Sequence, residues 1–130
     1  MDKYANRRSE KRLRYCWPVW FGSDFSGQLS QGQMVDVNSR AAAFSCYSHQ
    51  CPGKDQHITA RFSVPIYGRD GSFDMGNYIR SGWVSRIDRV NAFLQRAVLQ
   101  FEEALDFQPG EQPSGELDWQ TAEESVAAEV

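Results

Sequence analysis

The feature that most constrains the fold is a strict two-residue alternation over residues 58 to 64. Four apolar residues alternate with three polar ones: Ile58, Ala60, Phe62 and Val64 with Thr59, Arg61 and Ser63. Successive side chains of a strand point to opposite faces, so this pattern predicts a half-buried strand. Other strand-like runs occur at residues 15 to 21, 28 to 37, 41 to 47 and 78 to 87, separated by turn residues. Several short strands predict an antiparallel β-sandwich or small barrel.

Residues 94 to 101 are ambiguous by periodicity alone. Leu94, Val98 and Phe101 fall at helical spacing, whereas Ala97, Leu99 and Phe101 alternate as a strand would. Pro18 cannot donate a hydrogen bond to a neighbouring strand, so it favours an edge position or a bulge in the first strand. Trp17, Trp20 and Trp83 are interpreted as core or barrel-wall aromatics.

The charge distribution divides the 130-residue chain into three parts. Residues 1 to 14 hold six bases and two acids, which predicts a mobile basic arm ahead of the first strand. Residues 108 to 130 hold six acids and no base, and they open with a Pro- and Gly-rich linker. This composition predicts an acidic, largely disordered tail, with a short helix from Trp119 onward compatible with its spacing. One folded domain is therefore expected within residues 1 to 107.

Several function classes are disfavoured by what the chain contains. No apolar stretch approaches the roughly 20 residues needed to cross a bilayer, and no apolar secretory segment opens the chain. A cytoplasmic location and three reduced cysteines are therefore expected. Cys46, His49, Cys51 and His57 could hold zinc only with unusual spacing, so no metal site is predicted. No catalytic motif is present, which indicates a binding module rather than an enzyme.

Two motifs together resemble the PilZ domain, the bacterial receptor module for cyclic di-GMP. That family joins an Arg-x-x-x-Arg motif, just before the first strand, to an Asp/Asn-x-Ser-x-x-Gly motif about two strands later. Arg8 and Arg12 match the first motif, and Asp36 matches the first position of the second. The strand pattern over residues 6 to 107 also fits. The resemblance implies an all-β, six-stranded antiparallel barrel in which residues 94 to 101 are a strand.

The resemblance also implies a ligand and a set of contacts. Cyclic di-GMP carries two phosphate charges and two guanines, and arginine offers a planar fork of donors to both. Arg8 and Arg12 are expected to bind the ligand, with Arg7 and Arg40 as helpers. The Asp36 carboxylate would accept from a guanine edge, and Asn38 would add one more hydrogen bond. Binding would order the N-terminal arm and so transmit the signal.

The second motif departs from the family at two positions. Asn38 stands where the motif has Ser, and Ala41 stands where it has Gly. If the position of Ala41 requires a positive φ or a close approach of the ligand, the alanine Cβ there reduces the binding free energy by roughly 1–2 kcal/mol. These departures favour an alternative, a degenerate PilZ domain that binds no nucleotide and acts in protein interaction or oligomerisation. A nucleic-acid-binding barrel is disfavoured, because no basic strand carries interleaved aromatics.

Overall fold

The computed structural model describes residues 10 to 68, residue 70 and residues 72 to 112. These residues form seven strands: β1 (Leu13–Arg14), β2 (Pro18–Gly22), β3 (Ser30–Val37), β4 (Ala41–Tyr47), β5 (His57–Tyr67), β6 (Phe73–Arg89) and β7 (Leu94–Phe101). Two single-turn 3-10 helices lie at Ser48–Gln50 and Pro109–Glu111, and no α-helix occurs within the described ranges. Among those same residues, no helical segment has the length and apolar character needed to span a bilayer.

The strands close into a barrel. Neighbouring strands pair antiparallel in the order β3-β2-β5-β6-β7-β4, and β3 pairs with β4 to complete the ring. The short strand β1 adds two further pairs at the end of β3. The expected six-stranded antiparallel barrel is thus confirmed. Closure leaves few unpaired strand edges that could pair with another chain.

The ambiguous segment at residues 94 to 101 is strand β7, as the family resemblance implied. It pairs with β4 from Leu94 to Gln100 and with β6 on its other edge. Ala97 and Leu99 are fully buried, so the two-residue alternation describes the segment and the helical spacing was coincidental. At Gly82 the backbones of β6 and β7 approach so closely that a Cβ would lie 1.8 Å from the Gln100 carbonyl oxygen. Only glycine fits this crossing.

The first strand is interrupted just before Pro18. Arg14 faces Asp36 and Pro18 faces Gln33, so three residues of one strand lie opposite two of β3. This extra residue is a bulge, and it leaves Trp17 46% exposed on the outer wall. Trp20 and Trp83 are also exposed, so all three residues lie on the barrel wall rather than in its core.

Both ends of the folded unit differ from the sequence prediction. Residues 10 to 14 were assigned to a mobile arm, but Leu13 is buried and pairs with Val37. Residues 108 to 112 were assigned to the tail, but Pro109, Gly110 and Gln112 are buried against the barrel. The folded unit therefore continues at least to Gln112. The remaining arm and tail, residues 1 to 9 and 113 to 130, lie outside the described residues.

Strand β6 begins five residues before the strand-like run at residues 78 to 87 that the sequence indicates. Strand β6 begins at Phe73 and pairs with β5 up to Tyr67. Residues 73 to 77 pair with residues 63 to 67, a two-stranded extension beyond the part of β5 that pairs with β2. Phe73 is 60% exposed there. Sequence alternation was too weak in this extension to indicate a strand.

Candidate functional site

The second motif forms the tight turn between β3 and β4. The Asn38 backbone N–H donates to the Ala41 carbonyl oxygen at 2.9 Å, which leaves Ser39 and Arg40 as the two turn residues. The Asn38 side-chain oxygen accepts from the backbone N–H groups of Arg40 and Ala41 at 2.8 and 2.9 Å. Asparagine commonly makes such contacts to residues that follow it. Asn38 therefore stabilises the turn through its side-chain oxygen.

Ala41 is the first residue of β4, and its backbone is unstrained. Among the described residues other than glycine, only Asp55 has a positive φ, of 71°. The alanine Cβ therefore carries no conformational penalty at this position. One of the two reasons for expecting Ala41 to weaken ligand binding does not apply to this chain.

The structure brings one residue from each motif together. The Arg12 guanidinium lies 3.5 Å from the Asp36 carboxylate, with the two side chains 33% and 12% exposed. The register of the pairing between β3 and β4 shifts immediately before Asp36, between Met34 and Asp36. The two residues meet because β1 pairs with this end of β3, which places Arg14 opposite Asp36 and Arg12 just beyond it.

A residue that the sequence reasoning missed completes this junction. Glu10, between the two motif arginines, accepts from the Ser39 backbone N–H at 2.8 Å and from the Ser39 hydroxyl at 2.7 Å. Ser39 itself is buried. The signal in the sequence was a single acid inside a basic run, next to a turn rich in donors. That signal is too common to identify a contact between residues 29 positions apart.

The other side of the N-terminal segment contacts the C-terminal 3-10 turn. The Lys11 backbone N–H donates to the Glu111 carboxylate at 2.8 Å. A Cβ on Gly110 would lie 2.4 Å from the Lys11 carbonyl oxygen, so the two backbones are in direct contact. Residues 10 to 12 are therefore held between the β3–β4 turn and the turn at Pro109–Glu111.

The other predicted site residues are less informative. Arg7 and Arg8 lie outside the described residues. Arg40 is exposed in the turn, and its carbonyl oxygen accepts from the Phe101 N–H at 2.8 Å. The guanidinium therefore projects from a backbone fixed at both its N–H and its carbonyl group. We define the motif junction as Glu10, Arg12, Asp36, Asn38 and Ser39.

Two titratable groups whose pKa is raised by burial lie outside the motif junction. Burial raises the pKa of the Tyr15 hydroxyl, which donates to the Ser63 carbonyl oxygen at 2.7 Å. Burial, and then a hydrogen bond with Cys51, raises the pKa of the Cys46 thiol. Neither cysteine forms a disulfide. Within the part of the chain that the structure describes, no three His, Cys, Asp or Glu side chains come together as a metal site.

A second surface feature lies on the outer wall of β2, β5 and β6. Trp17, Trp20, Arg61 and Asn77 line a cavity of about 430 Å³, and we call these four residues the tryptophan face. The two indole groups are 46% and 36% exposed. A larger concavity of about 740 Å³ shares Trp20 and extends towards Tyr47. Neither cavity is lined by a residue of the motif junction.

The comparison with solved structures supports the architecture. No family model and no curated protein matches the sequence. Among solved structures, the Bacillus subtilis inhibitor of motility (MotI/DgrA) aligns with a TM-score of 0.61 at 10% sequence identity. The alignment covers 89% of this chain and 51% of that protein, so the chain spans about half of its length. The barrel is PilZ-like. At this level of identity, the comparison bears on the fold and not on the ligand.

Proposed function

We propose that this chain is a PilZ-like receptor domain that binds cyclic di-GMP at the motif junction. The observation that carries the proposal is the meeting of Arg12 and Asp36, one residue from each motif, beside the β3–β4 turn of a PilZ-like barrel. Arg12 and Asp36 lie 24 residues apart in the sequence, and the fold brings them together by pairing β1 with the end of β3. The domain binds its ligand and does not transform it.

The chemistry of the junction matches that of the ligand. The Arg12 guanidinium offers paired donors to a phosphate or to the O6 and N7 acceptors of guanine. Asp36 is suited to accept from the N1–H and N2–H₂ groups of guanine once Arg12 turns towards a phosphate. Arg7 and Arg8 would add positive charge from the preceding residues, and Arg40 from the turn. Asn38 contributes its amide NH₂ group, because its oxygen is already used.

The signal would be a rearrangement of existing contacts. Residues 10 to 12 contact the barrel through Glu10 and the Lys11 backbone, so binding would exchange these contacts rather than order a free segment. Ligand binding would exchange the Arg12–Asp36 ion pair for contacts to phosphate and guanine. The affinity for ligand is reduced by the free energy of the contacts that it replaces.

Calorimetric titration of the full chain with cyclic di-GMP tests the proposal, with GTP and single-stranded RNA as controls. We expect binding at micromolar or weaker affinity, because the second motif departs from the family pattern. Absence of heat at ligand concentrations near 1 mM would eliminate the proposal. A Kd of 1 mM corresponds to a binding free energy of about −4 kcal/mol. Equal heats with RNA would instead indicate a general affinity for nucleic acid.

The tryptophan face favours a second candidate function, a protein-interaction or oligomerisation module. Trp and Arg are the residues that most often dominate the binding energy of protein interfaces. Sedimentation of the wild type and of Trp20→Glu over a range of concentrations tests self-association. A concentration-dependent dimer that Trp20→Glu abolishes would support this function, and a monomer at all concentrations would rule out oligomerisation through this face.

A further inference from the structure

The β3–β4 turn contains an anion-binding unit that the chain fills with its own carboxylate. Within residues 38 to 41, the turn itself satisfies three of the four backbone N–H groups, those of Asn38, Arg40 and Ala41. The fourth, from Ser39, donates to Glu10 together with the Ser39 hydroxyl. A backbone N–H and a hydroxyl that converge on one anion are the same donors that recognise a phosphate oxygen.

The position of this unit connects it to the proposed ligand. Ser39 lies one residue from Asn38 and three from Asp36, and Glu10 lies two residues from Arg12. A phosphate that contacts Arg12 at this corner would lie beside the Ser39 donors. A carboxylate and a phosphate cannot share the same two donors, and their like charges repel at short distance.

We propose that Glu10 is an internal competitor that sets the affinity of this domain for cyclic di-GMP. Its carboxylate holds the position on Ser39 that a ligand phosphate takes, and binding displaces it. The inference rests on the proposed function and adds a residue outside both motifs. Ligand bound to Ser39 requires the release of Glu10. By thermodynamic linkage, Glu10 bound to Ser39 lowers the affinity for ligand.

Two alanine variants of the full chain test this role. Glu10→Ala removes the carboxylate on Ser39. Glu111→Ala removes the carboxylate that holds the next residue, Lys11, and changes the net charge by the same amount. Calorimetry should show cyclic di-GMP binding about tenfold tighter for Glu10→Ala, equivalent to about 1.4 kcal/mol. Glu111→Ala should bind within about twofold of wild type, because the donors on Ser39 stay occupied by Glu10.

The outcomes separate the two proposals. Binding by wild type with unchanged affinity in Glu10→Ala would overturn the competitor role and leave the proposed function standing. Equal tightening in both variants would also overturn it, because it would indicate net charge or release of the segment. If none of the three proteins binds, the proposed function fails and this inference with it. Binding by Glu10→Ala alone would support the competitor role and count against cyclic di-GMP binding by the wild-type domain.

A second measurement reports on Ser39 directly. In ¹⁵N-labelled Glu10→Ala, the Ser39 amide resonance should shift during titration with cyclic di-GMP and follow the same saturation curve as the calorimetry. A saturable binding event that leaves the Ser39 amide unmoved would show that the ligand phosphate does not use these donors, and would overturn the inference. Urea unfolding of each variant confirms that the compared proteins are folded.

Discussion

Two segments at opposite ends of the chain contact the same barrel, and they are held in different ways. The N-terminal segment, residues 10 to 14, is fixed by Glu10 on Ser39 and by Arg12 on Asp36, with Leu13 buried. The C-terminal segment, residues 105 to 112, is fixed by buried Leu105 and by the buried amide of Gln112. The first relies mainly on Glu10 and Arg12, charged side chains that remain partly exposed. The second uses neutral groups that are removed from water.

The difference shows which segment a ligand could move. Gln112 donates to the Pro65 and Pro109 carbonyl oxygens at 2.8 and 3.1 Å and accepts from the Tyr67 N–H at 2.7 Å. Breaking these bonds would leave buried backbone groups unpaired, which is costly. Partly exposed ion pairs contribute about 0–1 kcal/mol, so a charged ligand can replace them. The C-terminal segment is therefore structural, and the N-terminal segment is exchangeable.

Truncation should give the largest effect and tests the structural half of this comparison. Ending the chain after residue 107 removes buried Pro109 and Gln112 and leaves polar groups of β5 unpaired, so the free energy of unfolding should fall by about 3–5 kcal/mol. Ending it after residue 112 should change that free energy by less than about 0.5 kcal/mol. Urea unfolding of both truncated chains provides the measurement. Equal stability of the two would mean that the C-terminal segment contributes nothing.

A single substitution examines the same segment at one side chain. Gln112→Ala removes three hydrogen bonds to backbone groups and should lower the free energy of unfolding by about 1–3 kcal/mol. Gln108→Ala is the matched control, because its side chain is exposed four residues earlier, and it should cost less than about 0.5 kcal/mol. Thermal and urea unfolding measure both. A loss in the control as large as in Gln112→Ala would locate the effect in the backbone of the turn.

The contrast between the segments also explains what the sequence could reveal. The barrel was predictable because alternation in β5 and the motif order each indicated it, and the resemblance decided β7 between two spacings. The bulge before Pro18 was predicted nearly in place, because proline lacks a backbone donor. These features depend on the backbone preferences of residues that are close together in the sequence.

The contacts at both ends were not predictable by the same reasoning. Gln112 stands in a Pro- and Gly-rich stretch whose composition suggests a linker, yet its amide fits donors and acceptors on β5, 45 and 47 residues away. Glu10 reaches Ser39 across 29 residues. Such contacts depend on which strands the closed barrel places side by side. The composition of a segment contains no information about that arrangement.

Arg12→Ala tests the exchangeable half of the comparison. Because the guanidinium is proposed to move from Asp36 to the ligand, its loss should weaken cyclic di-GMP binding by about 1.5–3 kcal/mol, or more than tenfold. The free energy of unfolding should fall by about 1 kcal/mol or less, since the pair is partly exposed. Calorimetry and urea unfolding measure the two quantities, with Arg86→Ala as a control that breaks an exposed ion pair with Asp88 on β6. A large loss of stability with unchanged binding would make Arg12 structural.

The smallest effect is expected from restoring the family residue at position 41. The φ of Ala41 is not positive, so Ala41→Gly relieves no strain and should change cyclic di-GMP affinity by less than about threefold. Glycine loses more conformational freedom on folding, so the free energy of unfolding should fall by about 0.5–1 kcal/mol. Combining it with Asn38→Ser would also remove the oxygen that accepts from Arg40 and Ala41, which confuses the result, so the single substitution is preferred.

Calorimetry and urea unfolding of this variant decide between two causes of weak binding. Tightening of tenfold or more would show that the Ala41 Cβ obstructs the ligand directly. Unchanged affinity, beside a gain in Glu10→Ala, would place the restraint on binding in the N-terminal segment rather than in the turn it contacts.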